Sequence, residues 1–473
     1  MVFSSSIFLL YFFPCFLLLY YLSPHSIRNI IIVIASILFY AWGGPKYIFF
    51  ILISIVADFI LAKQIYNTQG SKRKLFLSLA VIFNLSFLFY YKYANFFLDN
   101  INSCLTLFGA DSIRYARVVL PIGISFFTFQ KISYLIDIYR EVKPPMKKIS
   151  DYFLYVMFFT QLIAGPIIRY NTIADQIINR RKEETIENKL SGFYRFVIGL
   201  SKKVLIANVL GAETARIFSL NIADINTSVA LIGITAYAFQ IYFDFSGYSD
   251  MALGMARMMG FTFPENFNNP YISQSITEFW RRWHITLSTW MRDYLYIPLG
   301  GNRLGKKRMY LNLWIVFFLS GLWHGASWNF VLWGSYHGLF IILDKLFLLK
   351  LLHRSGKYPS MIFTFIVSMV GWSFFCIEDI STSFTLIAKM FSFDFFDTNL
   401  FFDKHFLFIL CVAFFFSFIR AFKIGGILEN IFYSTSHTIK SHYFMTLLSI
   451  ILFVLCLAHI TSSGFNPFIY FRF

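Results

Sequence analysis

A histidine between a tryptophan and a glycine, where two apolar runs meet, is the residue of this chain best placed to move a proton inside a membrane. His324 sits in Gly321-Leu322-Trp323-His324-Gly325. Ionisable groups are costly in a bilayer and usually have a function there. Imidazole takes a proton near neutral pH, as a general base must. The glycines at 321 and 325 would let a ligand approach the backbone closely. A hydrogen-bonded core histidine fits the same pattern.

His284 is the second candidate, and it stands among Arg281, Arg282 and Arg292. Nearby cations would favour the neutral ring. It would then assist the base, bind substrate or face water. His337 follows His324 by 13 residues, about 20 Å along an unbroken helix. It shares a site with His324 only if that helix breaks, and a structural hydrogen bond is the expectation. Asp244 and Asp250 lie inside an apolar run, where a carboxylate needs a cation or several donors. An arginine from the 281–292 stretch is the expected partner, in a structural ion pair or in direct chemistry. Arg169 would grip a phosphate or snorkel to the interface. There is no Gly-x-Ser-x-Gly elbow, P-loop, His-Glu-x-x-His or dinucleotide fingerprint. The cysteines Cys15, Cys104, Cys376, Cys411 and Cys456 form no CxxC or Cys/His cluster, so neither a disulfide framework nor a metal site is expected.

The elements that must position these residues are set by composition. Of 473 residues, 58% are hydrophobic and 14% charged, against about 25% charged in soluble domains. Such a chain needs lipid as its solvent. Apolar runs recur near 6–22, 29–43, 47–63, 75–91, 117–138, 152–168, 192–210, 228–256, 309–322, 325–349, 361–378, 405–420 and 443–461. They imply an all-α polytopic bundle of about 10–13 transmembrane or re-entrant helices. Met1 to Leu22 lacks a charged n-region and an Ala-x-Ala site, so it is expected to be a retained first span. The net charge of +17 would suggest nucleic acid in a soluble protein. Here the basic residues fall in short loops, around 63–74, 140–148, 180–189 and 303–308. That pattern assigns those loops to the cytoplasm and is compatible with a basic mouth for an anionic substrate.

The stretch 258–308 is too polar to span. Within it, Thr277 to Tyr294 keeps helical periodicity, with Trp280, Trp283, Leu287, Trp290 and Tyr294 on one stripe. Arg281, His284, Ser288 and Arg292 form the neighbouring stripe. An interfacial helix, or the wall of a funnel, fits both.

The segments Phe279-Trp280-Arg281-Arg282-Trp283-His284-Ile285-Thr286-Leu287-Ser288 and Gly321 to Asn329 resemble the two signature blocks of bacterial membrane-bound O-acyltransferases. Pro121 to Gln130, Leu162 to Tyr170 and the Asp244–Asp250 block match in the family's order. The chain is most similar to the alginate and peptidoglycan O-acetyltransferase branch, with the teichoic-acid D-alanylation transporter as a more distant relative. The resemblance implies one membrane domain over 1–473, with helices ringed around a central funnel. It implies cytoplasmic-side interfacial helices at 258–308 and an aromatic tail at 465–473. It makes His324 the base and His284 the less strict second histidine. Substrate contacts would come from Arg281, Arg282, Arg292, Asp244, Asp250, Trp323 and Asn329. Acetyl-CoA is the implied donor substrate, with no bound cofactor. The implied setting is the bacterial inner membrane, beside an extracytoplasmic serine-esterase-like transferase. The ending Phe468-Ile469-Tyr470-Phe471-Arg472-Phe473 resembles the acyl-accepting tails of D-alanylation systems, which makes Tyr470 a candidate relay. An aromatic membrane belt explains the same residues. Transfer of another acyl group, such as D-alanyl from a carrier protein, is the rival within the family. A transporter is the rival outside it.

Overall fold

In a computed structural model, which describes residues 1–163, 165–395, 402–462 and 468–469, the regular elements are all helical. Seven described helices are long and apolar enough to cross a bilayer: His25–Gly43, Pro45–Asn67, Gly70–Leu107, Thr227–Met258, Lys357–Cys376, Lys404–Ala421 and Ile439–Ser462. The other expected runs lie on helices as well, among them Ile124–Tyr139, Ile186–Ser201, Lys306–His324 and Trp328–Leu343. The run at 152–168 breaks at Phe158 into Ile149–Met157 and Phe159–Leu162. The first run forms the helix Phe8–Leu22.

Nine of the described helices shape the interior around the candidate residues. α1 (Gly70–Leu107) carries one π turn at Phe89–Tyr93. α2 (Ile124–Tyr139) follows the loop that leaves the end of α1. α3 (Ile186–Ser201) packs antiparallel against α4 (Thr227–Met258). Their contact is made through glycine. A Cβ on Gly199 would meet the Gly247 carbonyl at 2.5 Å, and one on Gly192 would meet the Gly254 carbonyl at 2.7 Å. Small residues are how helices in lipid bring their backbones together.

The polar stretch then folds inward. α5 (Ile276–Arg282) starts at a Ser275 N-cap: the Ser275 hydroxyl accepts from Glu278 N at 3.1 Å, and the Glu278 carboxylate reaches back to accept from Gln274 N, just before the cap, at 2.9 Å. α6 (Ile285–Met291) follows after a break at Trp283 and His284. This corrects the expectation of one helix from 277 to 294. The aromatic spacing runs on, yet the backbone turns. The expected interfacial placement also gives way, because Trp280, Trp283 and Trp290 are buried in the protein. α7 (Lys306–His324) and α8 (Trp328–Leu343) form a tight hairpin, and α9 (Lys357–Cys376) lies against α8. A Cβ on Gly321 would meet Gly334 Cα at 3.1 Å, and one on Gly334 would meet Gly321 Cα at 3.0 Å. The expectation that Gly321 and Gly325 make room for a ligand is therefore corrected. The space beside Gly321 holds α8, and that beside Gly325 holds the Phe330 ring.

Candidate active site

His324 is the last residue of α7, and Gly325 leaves the helix in an extended conformation. Nineteen residues of helix from the basic start of α7 amount to about 28 Å. His324 thus lies far from the 303–308 loop. Its ring is buried and enclosed by Trp323, Trp333 and Phe375, with centroids at 5.0, 4.9 and 5.4 Å. Beside it is a pocket of about 90 Å³, lined by Lys92, Pro121, Gly123, Ser125, Phe126, Trp323 and His324 among others. That space is enough for ordered water or a small group. Part of its wall is the 120–123 loop, which follows the far end of α1.

His284 reaches the same place from another element. Its ring contacts the Trp323 indole at 6.1 Å, Phe126 at 6.5 Å and Phe245 at 4.6 Å. Trp323 therefore touches both histidines. His284 has φ +43° and ψ +53°, a left-handed conformation that is uncommon outside glycine and found at functional sites. Asn266 holds it there. The Asn266 side-chain amide donates to Ser249 Oγ at 3.1 Å, which turns its oxygen toward the histidine. That oxygen accepts from Thr286 N at 3.3 Å, Thr286 Oγ1 at 2.8 Å and His284 Nδ1 at 3.0 Å. With Nδ1 as donor, the neutral ring carries its lone pair on Nε2. Among the described residues Nε2 has no hydrogen-bond partner.

The arginines expected around His284 are engaged elsewhere. Arg282 pairs with Glu278 at 2.8 Å and Arg292 with Asp293 at 2.7 Å. Arg281 is exposed. The rings at 126, 245 and 323, rather than cations, form the surroundings of His284. Arg169 pairs with Asp293 at 2.5 Å. The expected partners of the two carboxylates are corrected too. Asp244 meets Lys203 at 2.6 Å, and Asp250 meets Arg195 at 2.9 Å and Lys202 at 2.7 Å. These cations come from α3 and the turn after it, which the glycine contacts bring against α4. The Asn329 amide donates to the Ile377 carbonyl and to Ser383 Oγ, so it ties α8 to the segment after α9.

His337 is closer to His324 than a continuous helix would allow, because the chain reverses at 325–327. Trp333 touches both rings, at 4.9 Å and 5.2 Å. The hydrogen bond expected for His337 is not found among the described residues. Its ring is packed against Trp280 and Tyr336 as well. Tyr470 lies outside the described residues. Two residues just before it are described: Ile469 N donates to Asp244 Oδ2 at 2.7 Å, and the Phe468 ring stacks on Tyr248 at 4.7 Å. Phe468 also meets Phe245, the ring that touches His284.

Two residues of the site escaped the sequence reading. Asn266 looked like one of many loop asparagines. Lys92 falls just beyond the apolar run at 75–91, and the lone lysine in Phe89-Tyr90-Tyr91-Lys92-Tyr93 is the signal that marks it. Its Nζ donates to the Trp323 and His324 carbonyls and to Ser125 Oγ.

The model of the membrane-bound O-acyltransferase family matches residues 140–377, which contain both histidines. The chain belongs to the membrane-bound O-acyltransferase family. It is an acyltransferase and a multi-pass membrane protein of that fold, with an acyl donor as substrate. It is 44% identical to the probable alginate O-acetylase AlgI of Azotobacter vinelandii over 397 residues, 83% of this chain and 78% of that protein. It is 35% identical to the peptidoglycan O-acetyltransferase of Helicobacter pylori over 428 residues, 82% of this chain and 80% of that protein. Similarity to the teichoic acid D-alanyltransferase of Bacillus subtilis is 29% over 237 residues, 48% of this chain and 59% of that protein.

Proposed function

We propose that this membrane-bound O-acyltransferase takes acetyl from acetyl-CoA on the cytoplasmic side of the bacterial inner membrane and passes it toward an extracytoplasmic polysaccharide, alginate-like or peptidoglycan. The observation that carries the reading is the buried His324 at a small pocket, with Trp323 between it and His284. The similarity to an alginate O-acetylase and a peptidoglycan O-acetyltransferase supports acetyl as the group and a polysaccharide as its destination. The distance of His324 from the basic 303–308 loop supports entry and exit on opposite faces.

In this reading His324 is the general base and His284 assists from the other side of Trp323. The first acceptor is the phenol of Tyr470. A phenol has a pKa of about 10, so it needs a base to attack at neutral pH. His324 takes the phenol proton, and the oxygen attacks the thioester carbonyl. The carbon–sulfur bond breaks, and the imidazolium returns its proton to the CoA thiolate. The phenyl ester then passes acetyl to a serine-esterase-like partner outside the membrane. The tail contacts of Ile469 with Asp244, and of Phe468 with Phe245, support a tail held near His284.

The test uses the full-length protein in proteoliposomes, following CoA release and label transfer from acetyl-labelled acetyl-CoA. Replacing His324→Ala is expected to cost about 10²- to 10⁴-fold in turnover, the range of a lost general base. Unchanged turnover removes His324 from the role. A Tyr470→Phe protein that still becomes labelled on the tail, or still acetylates polysaccharide in cells, removes the relay and spares the base. Labelling from a D-alanyl carrier protein and not from acetyl-CoA would shift the donor.

A further inference from the structure

The last carbonyls of a helix have no partner within it, and His324 is the last residue of α7. Its helix end is closed by two side chains from one π turn of α1. Tyr93 Oη donates to the Leu322 carbonyl at 2.8 Å. Lys92 Nζ donates to the Trp323 carbonyl and, at 3.1 Å, to the His324 carbonyl. The same ammonium donates to Ser125 Oγ at 3.2 Å, near the start of α2, and lies 5.9 Å from the Trp323 ring centroid. α1 also reaches past the hairpin turn, where Asn100 Oδ1 accepts from Trp328 Nε1 at 2.9 Å.

We propose that Lys92 and Tyr93 are positioning residues for His324: they clamp the final turn of α7 and so fix where the imidazole meets the pocket. The inference rests on His324 being the base. Three features argue for a clamp and against incidental packing. A π turn widens the helix by one residue and is frequent at functional sites. Here it turns two successive side chains onto three successive carbonyls. The ammonium is buried with neutral partners, two carbonyls and a hydroxyl, an expensive arrangement in a membrane. A cation at a helix C-terminus also meets the negative end of the helix dipole, which offsets part of that cost. Without the clamp, the turn carrying His324 has free carbonyls next to a pocket and a glycine at 325, and it frays. A catalytic group displaced by about 1 Å loses on the order of 100-fold in rate.

The experiment compares Lys92→Met, Lys92→Arg and Tyr93→Phe with His324→Ala in the full-length protein. It measures kcat and KM for acetyl-CoA, and amide hydrogen exchange across 318–327. Lys92→Met is expected to lower kcat by about tenfold or more, leave KM within about twofold, and speed exchange at 322–325, because exchange reports local opening. Lys92→Arg keeps the cation and donors and is expected to recover most of kcat. If Lys92→Met does not fold, Tyr93→Phe decides, since it removes one hydroxyl. Its expected result is a several-fold lower kcat and faster exchange. Wild-type exchange and kcat in the variant that folds overturn the clamp while an inactive His324→Ala leaves the base in place. Full turnover in His324→Ala overturns the base and with it the reason for the clamp. Equal losses in Lys92→Met and Lys92→Arg with unchanged exchange also overturn it.

Discussion

Two helix pairs in this molecule bring their backbones together through glycine and then treat buried polar groups in opposite ways. Between α3 and α4, Gly192 faces Gly254 and Gly199 faces Gly247. The charges held there are neutralised, Asp244 by Lys203 and Asp250 by Arg195 and Lys202. Between α7 and α8, Gly321 faces Gly334. There the two helices carry two buried imidazoles in aromatic walls, His324 and His337. A low-dielectric interior makes an unpaired charge costly. The first pair therefore matches each carboxylate with a cation and holds the fold, whereas the second carries two imidazoles and, at the end of α7, the Lys92 ammonium held by carbonyls and a hydroxyl. The contrast separates scaffold from site within one continuous interior.

The largest way to break that contrast is to force the first pair apart. A Cβ on Gly247 would sit 2.7 Å from the Gly199 carbonyl and 3.0 Å from Lys202 Cβ. The Gly247→Leu protein is expected to lose most of its folded yield, because backbone cannot yield as a side chain does. Size-exclusion of the detergent-extracted protein reads this directly. A monodisperse variant with normal yield would mean that the two helices tolerate separation and that the glycine pairing is not what sets their distance.

A smaller change tests whether the charges are scaffold. Asp250→Asn leaves Lys202 without its carboxylate, while Arg195 retains Glu265 at 2.5 Å. Removing one member of a buried pair costs about 3–5 kcal/mol, and the retained Glu265 contact argues for the lower end. The expected result is a lower unfolding midpoint with kcat/KM per folded molecule within about threefold. An unchanged midpoint with a raised KM would return Asp250 to substrate binding, as the family resemblance implied.

The same contrast explains what could be read from the chain alone. His324 and His284 were legible because local types, an ionisable ring among apolar and aromatic residues, carry the signal. The helical character was legible from run lengths. The bend at His284 was not, since Trp280, Trp283, Leu287, Trp290 and Tyr294 keep a helical spacing straight through it. The bend depends on Asn266, 18 residues away in sequence. The partners of Asp244 and Asp250 were misassigned for a similar reason. Nearness in sequence favoured the 281–292 arginines, while glycines in two helices favoured Lys203, Arg195 and Lys202. The clamp at Lys92 joins residues more than 200 positions apart, a relation that no local pattern carries.

The smallest expected effect sharpens the second half of the contrast. His337 shares Trp333 with His324 yet lies farther along α8, between Trp280 and Tyr336. A Cβ on Gly371 of α9 would meet His337 Nε2 at 2.6 Å, so the ring fills the gap that glycine leaves. Its contacts are those of a space-filling group. His337→Gln has a similar reach and no ring, and should cost about 1–3 kcal/mol through lost aromatic packing. Turnover per folded molecule should stay within about threefold, and its pH profile should not shift. A hundredfold loss of kcat with a preserved unfolding midpoint would place a third imidazole in proton transfer. The α7–α8 hairpin would then be a relay of two histidines across Trp333, and His324 would no longer act alone at its end of the hairpin.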